Sequence, residues 1–335
     1  MNTLFDKELF DLADEAMLIK RRLWGDDVFF VDNLHVNYTD ICVSHCRFCA
    51  FAKDEGDDDS YEMDIPGIID YIASKGKSVS EIHIVGGLHP SKPFDFYVDM
   101  LSEIKRNFPE KTIKAFSAVE IDYFSKLASV SVEKVLLKLK NAGLEMMPGG
   151  GAEIFNPDVR KQICPEKISG DRWLEIMETA HNNGIKTNAT MLFGHLESNE
   201  DRIEHLEKIR DLQEKTGGFV AFIPLEFHPE NTFLSHKQPP TGIDDLKTIA
   251  VSRIVLENVP HIKAYWVMLG VKLAQIALYF GADDLDGTVI KENITYAAGK
   301  KSERALSLKE LTSMIKSAGF NPVERDSFYN AVKRY

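Results

Sequence analysis

The sequence predicts an α/β fold, a (β/α)8 barrel of the TIM type, and two observations carry this prediction. The chain has 335 residues, which is enough for one large α/β barrel built as a single unit. Short strand-like runs alternate with amphipathic helical stretches at regular intervals, as in a parallel sheet with crossover helices. Eight strands would close a barrel, while six would fit an open, partial one. We therefore expect one domain over 1–335, with its core at about 30–290.

The elements are predicted in chain order from hydrophobic periodicity. A first helix is expected at 4–20, where apolar residues recur at helical spacing. The predicted strands are Leu34–Ile41, Glu81–Val85, Thr112–Ala118, Glu145–Pro148, Lys186–Phe193, Phe219–Phe227, Lys263–Met268 and Asp286–Val289. The predicted helices between them lie near 66–75, 94–107, 120–142, 170–183, 199–215, 241–258 and 270–280. A C-terminal helix is expected at 307–318.

Composition narrows the classes of partner. The formal net charge is -12, and an acidic chain is a poor candidate for binding nucleic acid, because the phosphate backbone carries the same sign. The opening segment 1–24 is amphipathic and rich in acidic residues, unlike a secretory signal. No run of about 20 apolar residues suggests a transmembrane helix. We expect a cytoplasmic protein with no nucleic-acid or membrane partner.

Three of the four cysteines fall within eight residues, directly after the first predicted strand. Cys42, Cys46 and Cys49 have the spacing Cys-x3-Cys-x2-Cys, and cysteine thiolates are the usual ligands of [4Fe–4S] clusters. Three thiolates can bind three irons and leave the fourth open for the amino and carboxylate groups of S-adenosylmethionine. Cys164 stands alone and is interpreted as a structural or incidental thiol.

A structural zinc site is the alternative interpretation of this cysteine group. Such a site requires four ligands, and His45 is the nearest candidate for the fourth. His45 lies inside the cysteine loop, at an awkward spacing. A binding module stabilised by zinc therefore remains as the hypothesis for a protein that is not an enzyme.

The cysteine spacing, with the aromatic Phe48 just before the third cysteine, resembles that of the radical S-adenosylmethionine superfamily. The resemblance implies a [4Fe–4S] cluster on the three cysteines and reductive cleavage of S-adenosylmethionine to methionine and a 5′-deoxyadenosyl radical. It also implies a barrel of the radical S-adenosylmethionine type, with active groups where strands end. Phe48 is a candidate for packing against the adenine or covering the cluster.

Three further segments supply candidate cofactor-binding residues. Gly86 and Gly87 end the second predicted strand, where such a pair meets the amino group of the methionine moiety in the superfamily. Glu153 follows three consecutive glycines and either accepts hydrogen bonds from the ribose hydroxyls or starts the next helix. The segment 189–198 resembles the adenine-contacting motif of the fifth strand. Its matching residues are Leu192, Gly194 and Glu197.

Five longer segments resemble one family within the superfamily, the aminofutalosine synthases of menaquinone biosynthesis. These segments are 114–121, 147–164, 187–195, 216–232 and 261–270. The resemblance implies a transferase that adds the 5′-deoxyadenosyl radical to 3-[(1-carboxyvinyl)oxy]benzoate. The products would be 6-amino-6-deoxyfutalosine, methionine and carbon dioxide or bicarbonate, with S-adenosylmethionine consumed as a co-substrate. Reduced flavodoxin or ferredoxin is the expected electron donor.

The nearest alternative is cyclic dehypoxanthinylfutalosine synthase of the same pathway, in which the radical abstracts a hydrogen atom. The expected substrate carries two carboxylates, so its site needs cationic or neutral hydrogen-bond donors. No inward arginine is evident from the pattern. The candidate catalytic residues are His89, Ser117, Asn188 and His228. Glu120 is interpreted first as a residue of a helix's first turn.

Overall fold

The computed structural model describes residues 4–76, 78–290, 292–299 and 305–335. The strands are β1 (Asp27–Val31), β2 (Asn33–Val36), β3 (Glu81–Ile84), β4 (Thr112–Ala115), β5 (Met146–Met147), β6 (Lys186–Phe193), β7 (Phe219–Glu226), β8 (His261–Ile262), β9 (Asp284–Gly287), β10 (Asn321–Arg325) and β11 (Ala331–Arg334). The α-helices are α1 (Leu9–Trp24), α2 (Ile65–Lys75), α3 (Phe94–Asn107), α4 (Ala118–Ala128), α5 (Val132–Asn141), α6 (Pro157–Ile163), α7 (Gly170–Asn182), α8 (Asn199–Thr216), α9 (Gly242–Val255), α10 (Trp266–Leu269), α11 (Val271–Ala277), α12 (Ile294–Ala297) and α13 (Leu308–Ser317).

The main sheet contains β2 to β8 in sequence order, and every neighbouring pair is parallel. The sheet is curled: bridges join Lys263 beyond β8 to Asp284, and Leu34 in β2 to Ile290. The segment 284–290 therefore contacts both edges of the sheet. This arrangement confirms the predicted α/β barrel architecture, and it places the carboxyl ends of all seven strands at one end of the molecule.

The eighth predicted strand differs most from the structure. The segment Asp286–Val289 was expected to complete the barrel sheet, but β9 pairs with β1 in a separate sheet of order β11-β10-β1-β9. Isolated bridges join Asp284 of β9 to Lys263 after β8, and Ile290 after β9 to Leu34 of β2. The strands β1, β10 and β11 were not predicted. The short strand β11 is exposed along its length and lacks apolar alternation, and β1 closely follows the first helix.

The long predicted helix at 120–142 is two helices, because serine residues cap both. Ser117 accepts a hydrogen bond from the backbone N–H of Glu120 and starts α4, which also shortens the predicted strand Thr112–Ala118. Ser129 has a positive φ of 51° and ends α4. Ser131 then caps α5. The predicted strand Lys263–Met268 was also wrong, since β8 covers only His261–Ile262 and α10 begins at Trp266.

A continuous apolar core lies between the barrel strands and the helices around them. Trp173 of α7 and Trp266 of α10 are its largest fully buried side chains. Their indole N–H groups donate to the carbonyl oxygens of Gly150 and Gly287, so neither buried donor is left without a partner. Within the described ranges, no helix is both long enough and apolar enough to span a bilayer.

Candidate active site

A cavity of about 330 Å³ opens at the carboxyl ends of the barrel strands. Residues at the carboxyl ends of six consecutive strands, or in the loops after them, line it. In strand order from β2 to β7 these include Cys42, Gly86, Ser117, Pro148, Leu192 and Phe227. Such a volume lies in the range of small-molecule sites, and this end of a parallel barrel is where such sites are found. The cavity is therefore the candidate active site.

All three clustered cysteines line this cavity. Cys46 is buried, whereas Cys42 and Cys49 are partly exposed. The backbone fixes the loop that carries them: the N–H of Cys42 donates to the carbonyl of Lys53 at 3.0 Å, and the N–H of Cys49 donates to that of Cys46 at 2.9 Å. These main-chain hydrogen bonds fix the backbone of the loop, and the loop in turn positions the thiols.

Burial disfavours the thiolate form at two of the three cysteines, and it raises the pKa of Cys46. The backbone N–H of Ser44 donates to Sγ of Cys42 at 3.4 Å. Burial raises the pKa of Cys49, while hydrogen bonds from the backbone of Phe51 and Ala52 oppose that shift. Within the described residues, no three Cys, His, Asp or Glu side chains converge on one metal-ion position. A four-iron cluster has a different requirement, since each thiolate binds its own iron. The three cysteines fit that requirement.

Gly86 and Gly87 lie on the cavity wall beside the cysteine loop. A Cβ atom on Gly87 would approach the carbonyl oxygen of Ile41 to 2.1 Å, and one on Gly86 would approach the ring of Tyr38 to 2.7 Å. Glycine is therefore required here for close packing between the end of β3 and the chain that leads into Cys42. Their contact with the methionine moiety stays a prediction.

Glu153 lies on the cavity wall, buried and with a positive φ of 46°. Oε1 of Glu153 accepts a hydrogen bond from Nζ of Lys167 at 2.6 Å. Burial alone would raise the pKa of Glu153, but Lys167 outweighs it and the net pKa is lowered. Sequence patterns missed Lys167, which also lies 5.0 Å from the centre of the Phe48 ring. The carboxylate is therefore ionised and already has one cationic partner.

Glu120 lines the cavity as well as capping α4. Oε2 accepts from the backbone N–H and the hydroxyl of Ser117, at 2.6 and 2.8 Å. Oε1 accepts from the hydroxyl of Tyr38 at 3.1 Å and the N–H of Gly86 at 3.4 Å. Burial raises the pKa of Glu120 to about 7, although these hydrogen bonds oppose the shift. The predicted position in the first turn of a helix is confirmed, and the cavity position is additional.

The structure brings most of the sequence-predicted site residues to this one cavity. Besides the cysteines, those lining it are Phe48, Gly86, Gly87, Ser117, Glu153, Asn188, Leu192 and His228. His89, Gly194 and Glu197 are not among the lining residues. His89 is buried, and its Nδ1 accepts from the N–H of Ser91 at 3.1 Å. A direct contact of these three residues with substrate or cofactor remains a prediction.

Glu197 has a structural environment that explains its position. Its side chain is fully buried and accepts hydrogen bonds from the backbone N–H groups of Gly194 and His195, at 2.5 and 2.9 Å. Nε of Arg202 donates to it at 2.8 Å. These contacts fix the loop after β6, next to Leu192 on the cavity wall.

Cys164 is also buried and is absent from the lining residues.

Comparison with protein-family models gives two matches along the chain. Residues 36–209, just over half of the chain, match the model described as the radical SAM superfamily. This chain belongs to the radical S-adenosylmethionine superfamily. Residues 216–334 match the model described as the CofH/MqnC C-terminal region. As a radical S-adenosylmethionine enzyme, the protein uses a [4Fe–4S] cluster and S-adenosylmethionine, and the three cysteines on the cavity wall are the residues that fit the cluster.

Two curated relatives of this radical S-adenosylmethionine enzyme are similar over nearly its whole length. Aminodeoxyfutalosine synthase of Thermus thermophilus is 43% identical over 98% of this chain and 89% of its own. The 5-amino-6-(D-ribitylamino)uracil–L-tyrosine 4-hydroxyphenyl transferase of Methanopyrus kandleri is 42% identical over 96% of this chain and 88% of its own. Among solved structures, methylornithine synthase matches the fold with a TM-score of 0.76, at 17% identity, over 95% of this chain and 91% of that one.

Proposed function

We propose that this enzyme is an aminodeoxyfutalosine synthase. The observation that carries the proposal is the 43% identity to such a synthase over 98% of this chain. The proposed reaction joins the 5′-deoxyadenosyl group of S-adenosylmethionine to 3-[(1-carboxyvinyl)oxy]benzoate. It gives 6-amino-6-deoxyfutalosine, methionine and carbon dioxide or bicarbonate, within menaquinone biosynthesis.

The cluster and S-adenosylmethionine would supply the carbon-centred radical, and Cys42, Cys46 and Cys49 would hold the cluster. The chain's own contribution is to position the second substrate and exclude water. Joining two carbon atoms requires that they be held near contact, roughly 3–3.5 Å apart. The apolar side chains at the ends of β6 and β7 suit this role, because they can enclose an aromatic ring. They are Leu192, Ile223, Leu225 and Phe227.

Polar side chains on the same wall are candidates for orienting the substrate. Asn188 and Thr190 both line the cavity from β6. The hydroxyl of Thr190 donates to the carbonyl of Gly149 at 2.7 Å, so it ties β6 to the glycine segment after β5. Asn188 is buried, and its amide is the predicted donor to a substrate oxygen. Reduced flavodoxin or ferredoxin remains the proposed electron donor.

A second candidate function is the transfer of a 4-hydroxyphenyl group from L-tyrosine to a ribitylaminouracil. The observation in its favour is the 42% identity to the archaeal transferase over 96% of this chain, which is nearly as high as the identity to the synthase. A third, cyclic dehypoxanthinylfutalosine synthase, is the sister activity expected to leave free 5′-deoxyadenosine. All three would use the same cluster motif and cavity.

Product analysis separates these candidates. Anaerobically reconstituted protein with a reductant and S-adenosylmethionine is given the enol ether, dehypoxanthinylfutalosine, or L-tyrosine with the ribitylaminouracil. Mass spectrometry then detects a covalent adenosyl adduct, a hydroxyphenyl–uracil product or free 5′-deoxyadenosine. We expect the adenosyl adduct with the enol ether alone, and none from the Cys46→Ala protein. Formation of the uracil product instead would replace the proposal with the transferase.

A further inference from the structure

Three polar side chains form one layer across neighbouring strands, deep in the barrel. His35 of β2 pairs in register with His83 of β3, and His83 pairs with Lys114 of β4. All three line the cavity. Adjacent strands lie about 4.8 Å apart, so the layer spans roughly 10 Å of the cavity floor. The imidazole rings of His35 and His83 are 4.5 Å apart, centre to centre. We call these residues the floor layer.

The floor layer has hydrogen-bonding capacity that the protein does not use. His35 is 5% exposed, and Nε2 of both histidines is buried without a hydrogen-bond partner among the described residues. Burial lowers the pKa of His35 to about 4 and that of His83 well below its usual range. Both imidazoles are therefore neutral near pH 7, and each offers one N–H. An unsatisfied buried polar group is costly, and a hydrogen-bonding ligand in the cavity would remove that cost.

Lys114 supplies the charge of the layer. Its Nζ lies 2.5 Å from Oε1 of Glu81, which is fully buried and does not line the cavity. Burial alone would raise the pKa of Glu81, but Lys114 and other nearby cations outweigh it and the net pKa is lowered. Burial lowers the pKa of Lys114, and the carboxylate of Glu81 opposes that shift. An ammonium group has three N–H donors, and this ion pair leaves some of them for a ligand. The neighbouring carboxylate of Asp286 is already paired with Lys263.

The cationic side chains that line the cavity indicate which class of ligand the floor layer binds. Among the described residues that line the cavity, Lys114 and Lys167 are the lysines and there is no arginine. Lys167 is engaged by Glu153, near the cysteines. Lys114 with two imidazole N–H donors is thus the described group best suited to an anionic oxygen ligand inside the barrel.

We propose that His35, His83 and Lys114 form the subsite for the ring carboxylate of an aromatic substrate. This inference rests on the proposed function, which requires a benzoate at this site. The vinyl carbon of the enol ether must face the adenosyl group, beside Cys42, Cys46 and Cys49 at the strand ends. The ring carboxylate lies at the other end of the substrate, so it points down to the floor layer. In the floor layer, this carboxylate accepts N–H hydrogen bonds from all three side chains.

Binding selectivity tests this subsite without any turnover. Calorimetric titration is performed on the cluster-loaded protein with S-adenosylmethionine and without reductant. The two probes are 3-[(1-carboxyvinyl)oxy]benzoate and the same molecule with the ring carboxylate replaced by a carboxamide. We expect the wild type to prefer the carboxylate by about 10- to 100-fold, as for a charge-assisted contact. His35→Leu and His83→Leu should each reduce that preference several-fold.

A paired variant removes the charge without leaving a buried ion alone. Lys114→Met combined with Glu81→Met replaces both partners by apolar groups of similar length, which proteins often tolerate. We expect its preference for the carboxylate to fall close to 1. His205→Leu is the matched control, because His205 is buried behind β6, where its Nε2 lies 2.9 Å from the carbonyl of Thr190, outside the cavity lining. It should keep the wild-type preference.

The outcomes separate this inference from the proposed function. A wild-type preference for the carboxylate that persists in both histidine variants would overturn the subsite. A wild type with no preference for the carboxylate would overturn it as well. If the paired variant does not fold, the two histidine variants still decide. Turnover of the enol ether by the wild type tests the synthase assignment independently. A preference that depends on the floor layer, without turnover, would support the subsite and contradict the assignment.

Discussion

Nζ of Lys167 lies 2.6 Å from Oε1 of Glu153, on the wall of the cavity that the three cysteines share. The pair joins the segment between α6 and α7 to the loop after β5. Both side chains are largely buried, with 16% and 8% of their surfaces exposed. A buried ion pair stabilises mainly because each charge neutralises the other, so the loss of one partner is more harmful than the loss of both.

The first prediction concerns this ion pair. Lys167→Met should lower the free energy of unfolding by about 3 kcal/mol, because it leaves the carboxylate of Glu153 buried and unpaired. The double variant with Glu153→Met should recover much of that loss. Urea denaturation of the three proteins measures both effects. A single variant as stable as the wild type would show that water solvates the carboxylate of Glu153.

The second prediction concerns Glu120 and pH. Burial raises the pKa of Glu120 from 4.5 to about 7. Between these values the folded state retains a proton that the unfolded state has lost, so this group's contribution to stability falls as the pH rises through that window. The total change is about 3 kcal/mol.

Comparison with Glu120→Gln isolates this contribution from those of other groups. The stability of the wild type minus that of Glu120→Gln should decrease between about pH 4.5 and pH 7, and should be constant above it. Denaturation at a series of pH values gives the difference. A flat difference across this window would show that Glu120 titrates normally.

The sequence predicted the parts of this molecule that depend on local pattern. The parallel strands and crossover helices follow from periodicity, and the cysteine group follows from spacing. Lys167 and the floor layer could not be found this way, because their proximity depends on strand register and curl. The sheet to which β9 belongs was predicted wrongly for a related reason. A strand of four residues does not determine its own partner, and in the folded protein β9 pairs with β1.

The glycine at the end of β3 gives a third prediction. A Cβ on Gly87 would meet the carbonyl oxygen of Ile41 at 2.1 Å, so Gly87→Ala must displace the chain that enters the cysteine loop. We expect reduced iron loading in that variant. Gly150→Ala is the matched control, since its Cβ would meet Ser117 at an ordinary 3.6 Å on the same cavity wall. Equal iron content in both variants would contradict this account.

The fourth prediction separates the cysteines. Replacing Cys42, Cys46 or Cys49 by alanine should abolish turnover with little loss of fold, since each thiolate binds one iron. Cys164→Ala should retain full activity and cluster content, because Cys164 is buried and is not among the residues that line the cavity. Iron, sulfide and product are measured for each variant. Loss of the cluster from the Cys164→Ala protein would mean that the set of ligands is different.

The most direct measurement is electron paramagnetic resonance of the reduced, oxygen-free protein before and after addition of S-adenosylmethionine. Three protein thiolates leave one iron without a protein ligand, so the amino and carboxylate groups of S-adenosylmethionine should bind it and shift the signal of the reduced [4Fe–4S] cluster. A cluster signal that S-adenosylmethionine leaves unchanged, or the absence of any cluster signal, would contradict the account.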